Sequence, residues 1–167
     1  MPTPVTPRLT LRQMTDADLD DMAALLGDED VMRYYPRPKT RHEARGWIVR
    51  NQERYEAHGF GLWIMHRTDT GEFVGDCGLT YQRIDGVDEL EVGYHVRTAR
   101  QGNGYATEAA AAARDFARDV LGARRLIAII NPRNLPSQRV AAKIGLEVEK
   151  HAVTASGAEA VIYAAAL

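Results

Sequence analysis

The sequence predicts a mixed α/β fold in which one sheet forms a single layer with helices on both faces. Two observations predict this class. Strand and helix patterns alternate in the second half of the chain, and hairpin patterns with short glycine turns stand on either side of that region. The 167 residues contain no linker, repeat or low-complexity segment, so we expect one domain over residues 1–167.

The first third of the chain predicts a strand and then two helices. Residues 8–12 alternate apolar and polar side chains as a strand does. Thr15 with Asp18, and Thr40 with Glu43, have the spacing of N-terminal capping pairs, and each pair precedes a helical apolar pattern.

The middle of the chain predicts antiparallel strands. Residues 60–66 and 72–81 are rich in aromatic and β-branched side chains and flank a turn, which is typical of a hairpin. Residues 85–86 form a further turn signal, and residues 89–96 carry the clearest strand pattern. Gly93 lies inside that strand and indicates a bulge or a close backbone approach.

The last third predicts helix, strand, helix and a final hairpin. Residues 104–121 are rich in alanine and predict a helix. The face that would lie against a sheet consists mainly of small side chains, namely Ala106, Ala109, Ala110, Ala113, Ala117 and Val120. An apolar strand follows at residues 125–130 and a short helix at 136–144. Residues 146–151 and 159–165 then predict an antiparallel pair.

Composition excludes several classes of function. The formal net charge of −2 argues against nucleic acid as the main ligand, because phosphate-backbone binding usually needs a basic domain or a dense basic face. Cys77 is the only cysteine, so no internal disulfide or multi-cysteine metal site can form. No apolar run approaches the roughly 18–20 residues of a membrane span, and the first residues lack a secretory-signal profile. We therefore expect a cytoplasmic protein without nucleic-acid or membrane partners.

Two enzyme classes lack their sequence signals. The five histidines show no metal-ligand spacing, so we expect no metal. No Gly-x-Ser-x-Gly segment is present to form a hydrolase nucleophile elbow.

A glycine-containing loop at residues 101–106 stands where a strand passes into a helix. Gly102 and Gly104 would let backbone N–H groups approach a phosphate at the positive end of that helix, although a plain glycine-rich turn has the same composition. No Gly-Lys-Ser/Thr triplet follows, and Thr107 occupies the place of the third small residue in a dinucleotide fingerprint. The residues therefore favour an anion-binding loop that is neither a Walker loop nor a Rossmann loop.

The loop has the pattern Gln/Arg-x-x-Gly-x-Gly/Ala, with Gln101, Gly104 and Ala106 in the defining positions. The other segments that carry a resemblance are residues 6–12, 30–34, 59–63, 75–79, 91–94, 104–109 and 134–146. Together they resemble the GNAT acetyltransferase superfamily over nearly the whole chain. The resemblance is closer to the branch of the ribosomal-protein N-terminal acetyltransferases.

The resemblance implies a mostly antiparallel, seven-stranded sheet that is splayed at a central bulge, and acetyl-CoA as the co-substrate. The pantetheine arm would pair with the backbone near Val96, and Asn134 would hydrogen-bond it, although Gly93 also fits an ordinary bulge and Asn134 a turn or cap. The residues implied for the pyrophosphate are Gln101, Gly102, Asn103, Gly104, Tyr105, Ala106 and Thr107. Basic residues that could meet its phosphates, or could equally be solvated surface, are Arg97, Arg100, Arg133, Arg139 and Lys143.

The resemblance also implies two catalytic candidates. Glu91 would accept the proton of the amine directly or through water, unless it is a solvated or ion-paired strand carboxylate. His95 is an alternative base. Many members of the superfamily protonate the leaving thiolate with a tyrosine where this chain has Ala141, so Ser137 would donate to sulfur instead, unless it only serves the short helix.

The implied activity is the direct transfer of an acetyl group from acetyl-CoA to a primary amine in a ternary complex. The acceptor stays open between a protein N-terminus, a polyamine, an amino acid and an amine-bearing antibiotic. Candidates for the acceptor pocket, which could also be core, are Tyr34, Tyr35, Trp47, Trp63, Tyr81 and Gln82. A homodimer is left open, and a non-catalytic sensor or partner protein that binds acyl-CoA is the alternative function.

Overall fold

Seven strands form one sheet in the order β1-β2-β3-β4-β5-β7-β6. The structure is a computed structural model that describes residues 2–167. The strands are β1 Leu9–Arg12, β2 Leu62–Arg67, β3 Phe73–Ile84, β4 Val87–Val96, β5 Arg125–Ile130, β6 Glu147–Val153 and β7 Glu159–Ala166. The helices of four or more residues are α1 Leu19–Leu26, α2 Arg41–His58, α3 Tyr105–Asp119 and α4 Leu135–Lys143. The mixed α/β class, the element order and the seven-stranded sheet expected from the sequence are confirmed.

The start of α2 is the capping box that the sequence predicts. The Thr40 hydroxyl accepts the backbone N–H of Glu43 at 3.2 Å, and the Glu43 carboxylate accepts that of Thr40 at 2.9 Å. The helix ends at Gly59, whose φ of 81° lies in the left-handed region. Between these two ends, α2 turns buried side chains such as Ile48 and Tyr55 toward the sheet.

The hairpin of β3 and β4 is longer than the sequence indicates. β3 continues to Ile84, beyond the predicted end at residue 81, because its pairing with β4 runs up to the two-residue turn. In that turn Asp85 and Gly86 have φ values of 50° and 78°, which is the conformation that hairpins with two-residue loops favour.

α2 and α3 cover opposite faces of the sheet. Trp63 and Cys77 pair across β2 and β3 and share one face, and Phe116 of α3 packs edge-on against Trp63 with ring centroids 5.3 Å apart. Asp76 points to the other face, where the indole N–H of Trp47 on α2 donates to it at 3.1 Å. The expected helices on both faces are therefore present.

One edge of the predicted α3 face differs from expectation. Val120 is half exposed because the helix ends at Asp119, before the chain returns to the sheet. The buried face instead includes the aromatic rings of Tyr105 and Phe116 beside the predicted alanines. Small side chains nonetheless dominate it, and they let the helix pack closely against β3 and β4.

β4 and β5 are parallel and separate after a single pair of residues. Glu91 pairs with Ile127, and no later residue of β4 pairs with β5. The pairing of β4 with β3 continues through Gly93 without a change of register, so β4 has no bulge relative to β3 at this position. Instead, β4 stops pairing with β5 just before Gly93. Close backbone approaches lie instead at Gly75 and Gly78 of β3, where an added Cβ would stand 1.9 Å from the His95 carbonyl oxygen and 2.0 Å from the Gly61 carbonyl oxygen.

Across residues 2–167, no helix combines the length and the apolar character needed to cross a membrane.

Candidate cofactor and catalytic site

A cavity of about 880 Å³ opens where β4 and β5 separate. It brings together nearly all of the site residues that the sequence predicts. The predicted residues that line it are Glu91, Val96, Gln101, Gly102, Gly104, Tyr105, Ala106, Thr107, Asn134 and Ser137. Asn103 does not line it, because its side-chain amide folds back onto the carbonyl groups of Arg100 and Gln101.

The open edge of β4 presents backbone groups to this cavity. The N–H of Arg97 donates to the Val74 carbonyl at 2.9 Å, so the alternation of an antiparallel pair turns the peptide groups of Val96 away from β3. β5 no longer pairs with β4 at that position. The Val96 carbonyl accepts the Gln101 side-chain amide at 2.9 Å, so the Val96 N–H is the group left to pair with an extended ligand.

The loop that leads into α3 has the conformation of an anion site. Gly102 and Gly104 both have φ of 79°, a region that costs other residues about 1–2 kcal/mol. Across residues 2–167, no group accepts a hydrogen bond from the consecutive backbone N–H groups of residues 102–107. These donors converge at the positive end of a 15-residue helix, where a phosphate is stabilised.

Arg8 holds this loop in place through contacts with the loop and with α3. This role of Arg8 is not identified by the sequence analysis. Its guanidinium bonds Glu108 of α3 at 2.8 Å and the Asn103 carbonyl at 2.9 Å, and it lies 4.6 Å from the centroid of the Tyr105 ring. Thr6 also donates to Glu108, at 2.8 Å. The segment directly before β1 is thus tied to the loop and to the first turn of α3.

We expect Arg8→Ala to raise the Kd of coenzyme A by roughly 3- to 10-fold, because an unclamped loop must be ordered when the ligand binds. Calorimetric titration measures this change. Arg118→Ala is the matched control, since Arg118 lies in the last turn of the same helix and pairs only with surface aspartates. An unchanged affinity in Arg8→Ala would contradict the role assigned to the clamp.

The basic residues near the loop divide into two groups. Arg97 and Arg100 both bond Glu72, Arg100 by the shorter contact, so their charge is already partly neutralised. Arg139 and Lys143 of α4 line the cavity and have no carboxylate within 4.0 Å in the part of the chain that the structure describes. These last two are therefore the cations available to phosphate groups. Arg133, the other candidate, lies outside the cavity wall.

Glu91 lies where the two strands separate. Burial raises the pKa of its carboxyl group to about 8, against the opposing charges of His95 and Arg54. No hydrogen-bond donor to this carboxyl group is found between residues 2 and 167. Glu91 thus combines access to the cavity with a pKa close to that of an α-amine, as a general base requires.

His95 forms a buried network in place of acting as a free base. Its Nδ1 lies 2.7 Å from the Asp76 carboxylate, and its Nε2 lies 2.7 Å from the Tyr35 hydroxyl. Burial lowers the pKa of His95, but the Tyr35 and Asp76 oxygens outweigh this effect and raise it to about 10. The raised pKa favours the doubly protonated ring at neutral pH, and both ring nitrogens already have hydrogen-bond partners, which makes His95 a poor base for a substrate.

Ser137 and Asn134 meet at the start of α4. The Asn134 Oδ1 accepts the backbone N–H of Ser137 at 3.1 Å, so the side chain caps the helix. Asn134 also lines the cavity, and its amide nitrogen donates to no group among residues 2–167. The Ser137 hydroxyl donates to the Tyr94 hydroxyl at 3.1 Å, which donates to the Ser137 carbonyl at 2.8 Å. Sequence reasoning missed Tyr94, although it lies in the Glu-Val-Gly-Tyr segment of β4.

Four of the six residues that the sequence suggests for an acceptor pocket line the cavity. They are Tyr34, Tyr35, Trp47 and Gln82. Trp63 is fully buried in the core, and Tyr81 is exposed away from the cavity. In the described residues, no cluster of His, Cys, Asp and Glu could hold a metal ion.

Comparison with known proteins gives one family and several relatives. The profile of the acetyltransferase (GNAT) domain matches residues 8–147. YkkB, an uncharacterized protein of Bacillus subtilis (strain 168), is 40% identical over 147 residues, which cover 87% of this chain and 86% of YkkB. The crystal structure of an acetyltransferase from Agrobacterium tumefaciens str. C58 is 26% identical with a TM-score of 0.86, and the match covers 99% of this chain and 94% of that one.

A further likeness concerns the fold alone. RimL, a ribosomal L7/L12 alpha-N-protein acetyltransferase solved in complex with coenzyme A, is 18% identical with a TM-score of 0.78. The match covers 98% of this chain and 97% of RimL. This neighbour shows that the chain shares its fold with a ribosomal-protein acetyltransferase.

Proposed function

This chain belongs to the acetyltransferase (GNAT) family, and on that premise we propose that it is an N-acetyltransferase that uses acetyl-CoA to acetylate a primary amine. RimL, its neighbour in fold, is described in complex with coenzyme A. The family match, rather than the fold alone, favours catalysis of acetyl transfer over simple ligand binding.

One observation carries the proposal. The unpaired N–H of Val96 on β4 and the free N–H groups of residues 102–107 border the same cavity. An extended arm that ends in a pyrophosphate would satisfy both sets of donors at once, with the arm along the strand edge and the phosphates at the helix end. Arg139 and Lys143 add positive charge on the same wall.

Bound acetyl-CoA supplies a thioester, and the proposed reaction joins the amine nitrogen to the acetyl carbon as the carbon–sulfur bond breaks. One proton must therefore leave nitrogen and one must reach sulfur. We assign the first transfer to Glu91, directly or through water, and the second to Ser137. Backbone N–H groups near Val96 would stabilise the charge that develops on the carbonyl oxygen. No covalent intermediate with the enzyme is needed in this scheme.

The hydroxyl pair of Ser137 and Tyr94 supports the second assignment. Ala141 provides no phenol, but the Tyr94 phenol lies 3.1 Å from the Ser137 oxygen. Burial raises the pKa of Tyr94, so this phenol keeps its proton throughout the working pH range. If the Tyr94 hydroxyl turns to donate to Ser137, the serine can point its own proton into the cavity.

We expect acetyl-CoA at 100 times its Kd to stabilise the folded protein by about 2.7 kcal/mol. NADH and ATP, which lack the pantetheine arm, should stabilise it less. Differential scanning calorimetry with each ligand measures the shift. A shift with NADH and none with acetyl-CoA would overturn the assignment of the cavity.

Turnover is measured by the release of free thiol from acetyl-CoA with a panel of primary amines. Thiol release that depends on the amine supports the enzyme. Binding of acetyl-CoA without thiol release for any amine would favour a sensor or partner protein instead.

A further inference from the structure

Two arginines of α2 reach the cavity from the face of the sheet opposite to the phosphate donors. Arg50 and Arg54 line the cavity, and their helix covers the face that includes Asp76. The loop at residues 102–107 precedes α3, which covers the other face. Phosphates held at the start of α3 would therefore leave the α2 arginines without an anion.

Neither α2 arginine has an acidic partner within 4.0 Å among residues 2–167, although most arginines of the chain do. Arg54 is half-buried and donates one hydrogen bond, at 3.1 Å, to the buried amide oxygen of Asn51. Arg50 lies 6.0 Å from the centre of the Trp47 ring. Burial, and then the charge of Arg50, lower the pKa of Arg54. Like charges one turn apart on a helix repel each other, so an anion between them would be stabilised.

The acids of the cavity wall do not neutralise this pair. Glu91 comes near enough to interact with Arg54, but burial raises the pKa of its carboxyl group to about 8, and in its protonated form Glu91 supplies no counter-charge to Arg54. Asp30 is already paired with Arg33 at 3.2 Å. Glu159 lies exposed at the start of β7, in the last hairpin. The α2 side of the cavity therefore carries excess positive charge, which is unusual for the binding site of a substrate that is itself an amine.

From these observations we infer that the acceptor is an amine that also carries a carboxylate, and that Arg54 and Arg50 bind this carboxylate while the amine faces Glu91. The inference rests on the proposed acetyl transfer and specifies its substrate class. Guanidinium groups match carboxylates by paired hydrogen bonds. Their charge also lowers the pKa of a neighbouring ammonium group, which favours the neutral amine that must react.

The carboxylate could belong to a free amino acid or to an acidic residue of a peptide. Two matched pairs of acceptors distinguish these sources. The first pair is alanine and alaninamide, which tests a free amino acid. The second pair is the dipeptides alanyl-glutamate and alanyl-glutamine, each amidated at its C-terminus, which tests an acidic side chain in a peptide. We expect the carboxylate to raise kcat/KM by roughly 10- to 100-fold in one pair, when rates are compared at equal concentrations of neutral amine.

Arg50→Gln/Arg54→Gln should bring the ratio of kcat/KM between the carboxylate-bearing acceptor and its amide close to one, whatever change it makes to the rate with the amide alone. Arg45→Gln should retain it, since Arg45 is an exposed residue of the same helix outside the cavity. Equal use of acid and amide in both pairs, or an equal loss for both in the double variant, would overturn the inference while leaving acetyl transfer intact.

A binding measurement separates this inference from the proposed function. Glutarate carries carboxylates but no amine, so calorimetric titration of the protein with coenzyme A present needs no turnover. We expect glutarate to bind the original protein and Arg45→Gln at least tenfold more tightly than the double variant. Absence of that difference would overturn the inference whether or not any amine is acetylated.

Discussion

Glu91→Gln is expected to lower kcat by roughly 10²–10⁴-fold at neutral pH, the range that loss of a general base usually costs. Glutamine keeps the shape of the side chain but cannot take a proton. The burial of Glu91 and its place beside the cavity make it the carboxyl group best placed for this transfer. Steady-state rates of thiol release at saturating acetyl-CoA and acceptor measure the effect.

The pH dependence of the same variant tests the cause. The pKa of Glu91 is raised to about 8, so the activity of the original protein should rise with pH through that value as the carboxyl group loses its proton. With an acceptor whose amine pKa lies well above 8, Glu91→Gln should lack this inflection and recover partly only as the pH approaches that higher pKa. Asp88→Asn is the control, because Asp88 is an exposed residue of the same strand that pairs only with Arg83.

Stability shows whether the variant fails for a structural reason. In the unfolded chain the pKa of a glutamate is about 4.3, whereas the pKa of Glu91 in the folded protein is raised to about 8. Between these values the unfolded state binds fewer protons, so this residue lowers stability as pH rises, and glutamine removes the effect. The Tm of Glu91→Gln relative to the original protein should therefore increase from about pH 4 to pH 8. Wild-type kcat at all pH values in a variant that binds coenzyme A normally would exclude Glu91 as the base.

The elements of the fold follow closely from local sequence signals. The capping box of Thr40 and Glu43 and the turn at Asp85 are formed by residues that are neighbours in the chain, and both appear where the sequence predicts them. The prediction that Val120 belongs to the buried face of α3 is wrong, because the ends of helices are hard to predict from a sequence. A periodic pattern shows which side is apolar but not where tertiary packing stops.

The site is only partly predictable. Gly102 and Gly104 predict the anion-binding loop, because the left-handed backbone conformation that the loop needs favours glycine. The clamp of Arg8 on Glu108 joins residues 100 positions apart, and no local pattern indicates it. The protonated state of His95 depends on Asp76, which the fold buries beside it. Contacts of this kind arise from the assembled sheet, so a single sequence identifies the chemical groups but not the charges they carry.

Ser137→Ala should slow acetyl transfer by roughly 10²-fold, the usual effect of removing one hydrogen-bond donor to a developing negative charge. The variant keeps the backbone N–H that Asn134 accepts, so the cap of α4 should survive. Higher pH should rescue it little, because removing protons from solution cannot replace a donor to sulfur. The pH profile should therefore keep the inflection of Glu91 near 8 and lie below that of the original protein throughout.

Changing the leaving group distinguishes a proton-donating role of Ser137 from a purely structural one. A selenoester analogue of acetyl-CoA releases a more acidic group that needs less help from a proton donor, so it should restore the rate of Ser137→Ala but not that of Glu91→Gln. Tyr94→Phe should fall between the original protein and Ser137→Ala, because it removes the hydroxyl partner and leaves the serine proton. If Ser137→Ala binds coenzyme A normally and shows no loss with the thioester, solvent water must carry the proton to sulfur. If instead it loses activity equally with both esters, its defect lies in the packing of α4 rather than in proton donation.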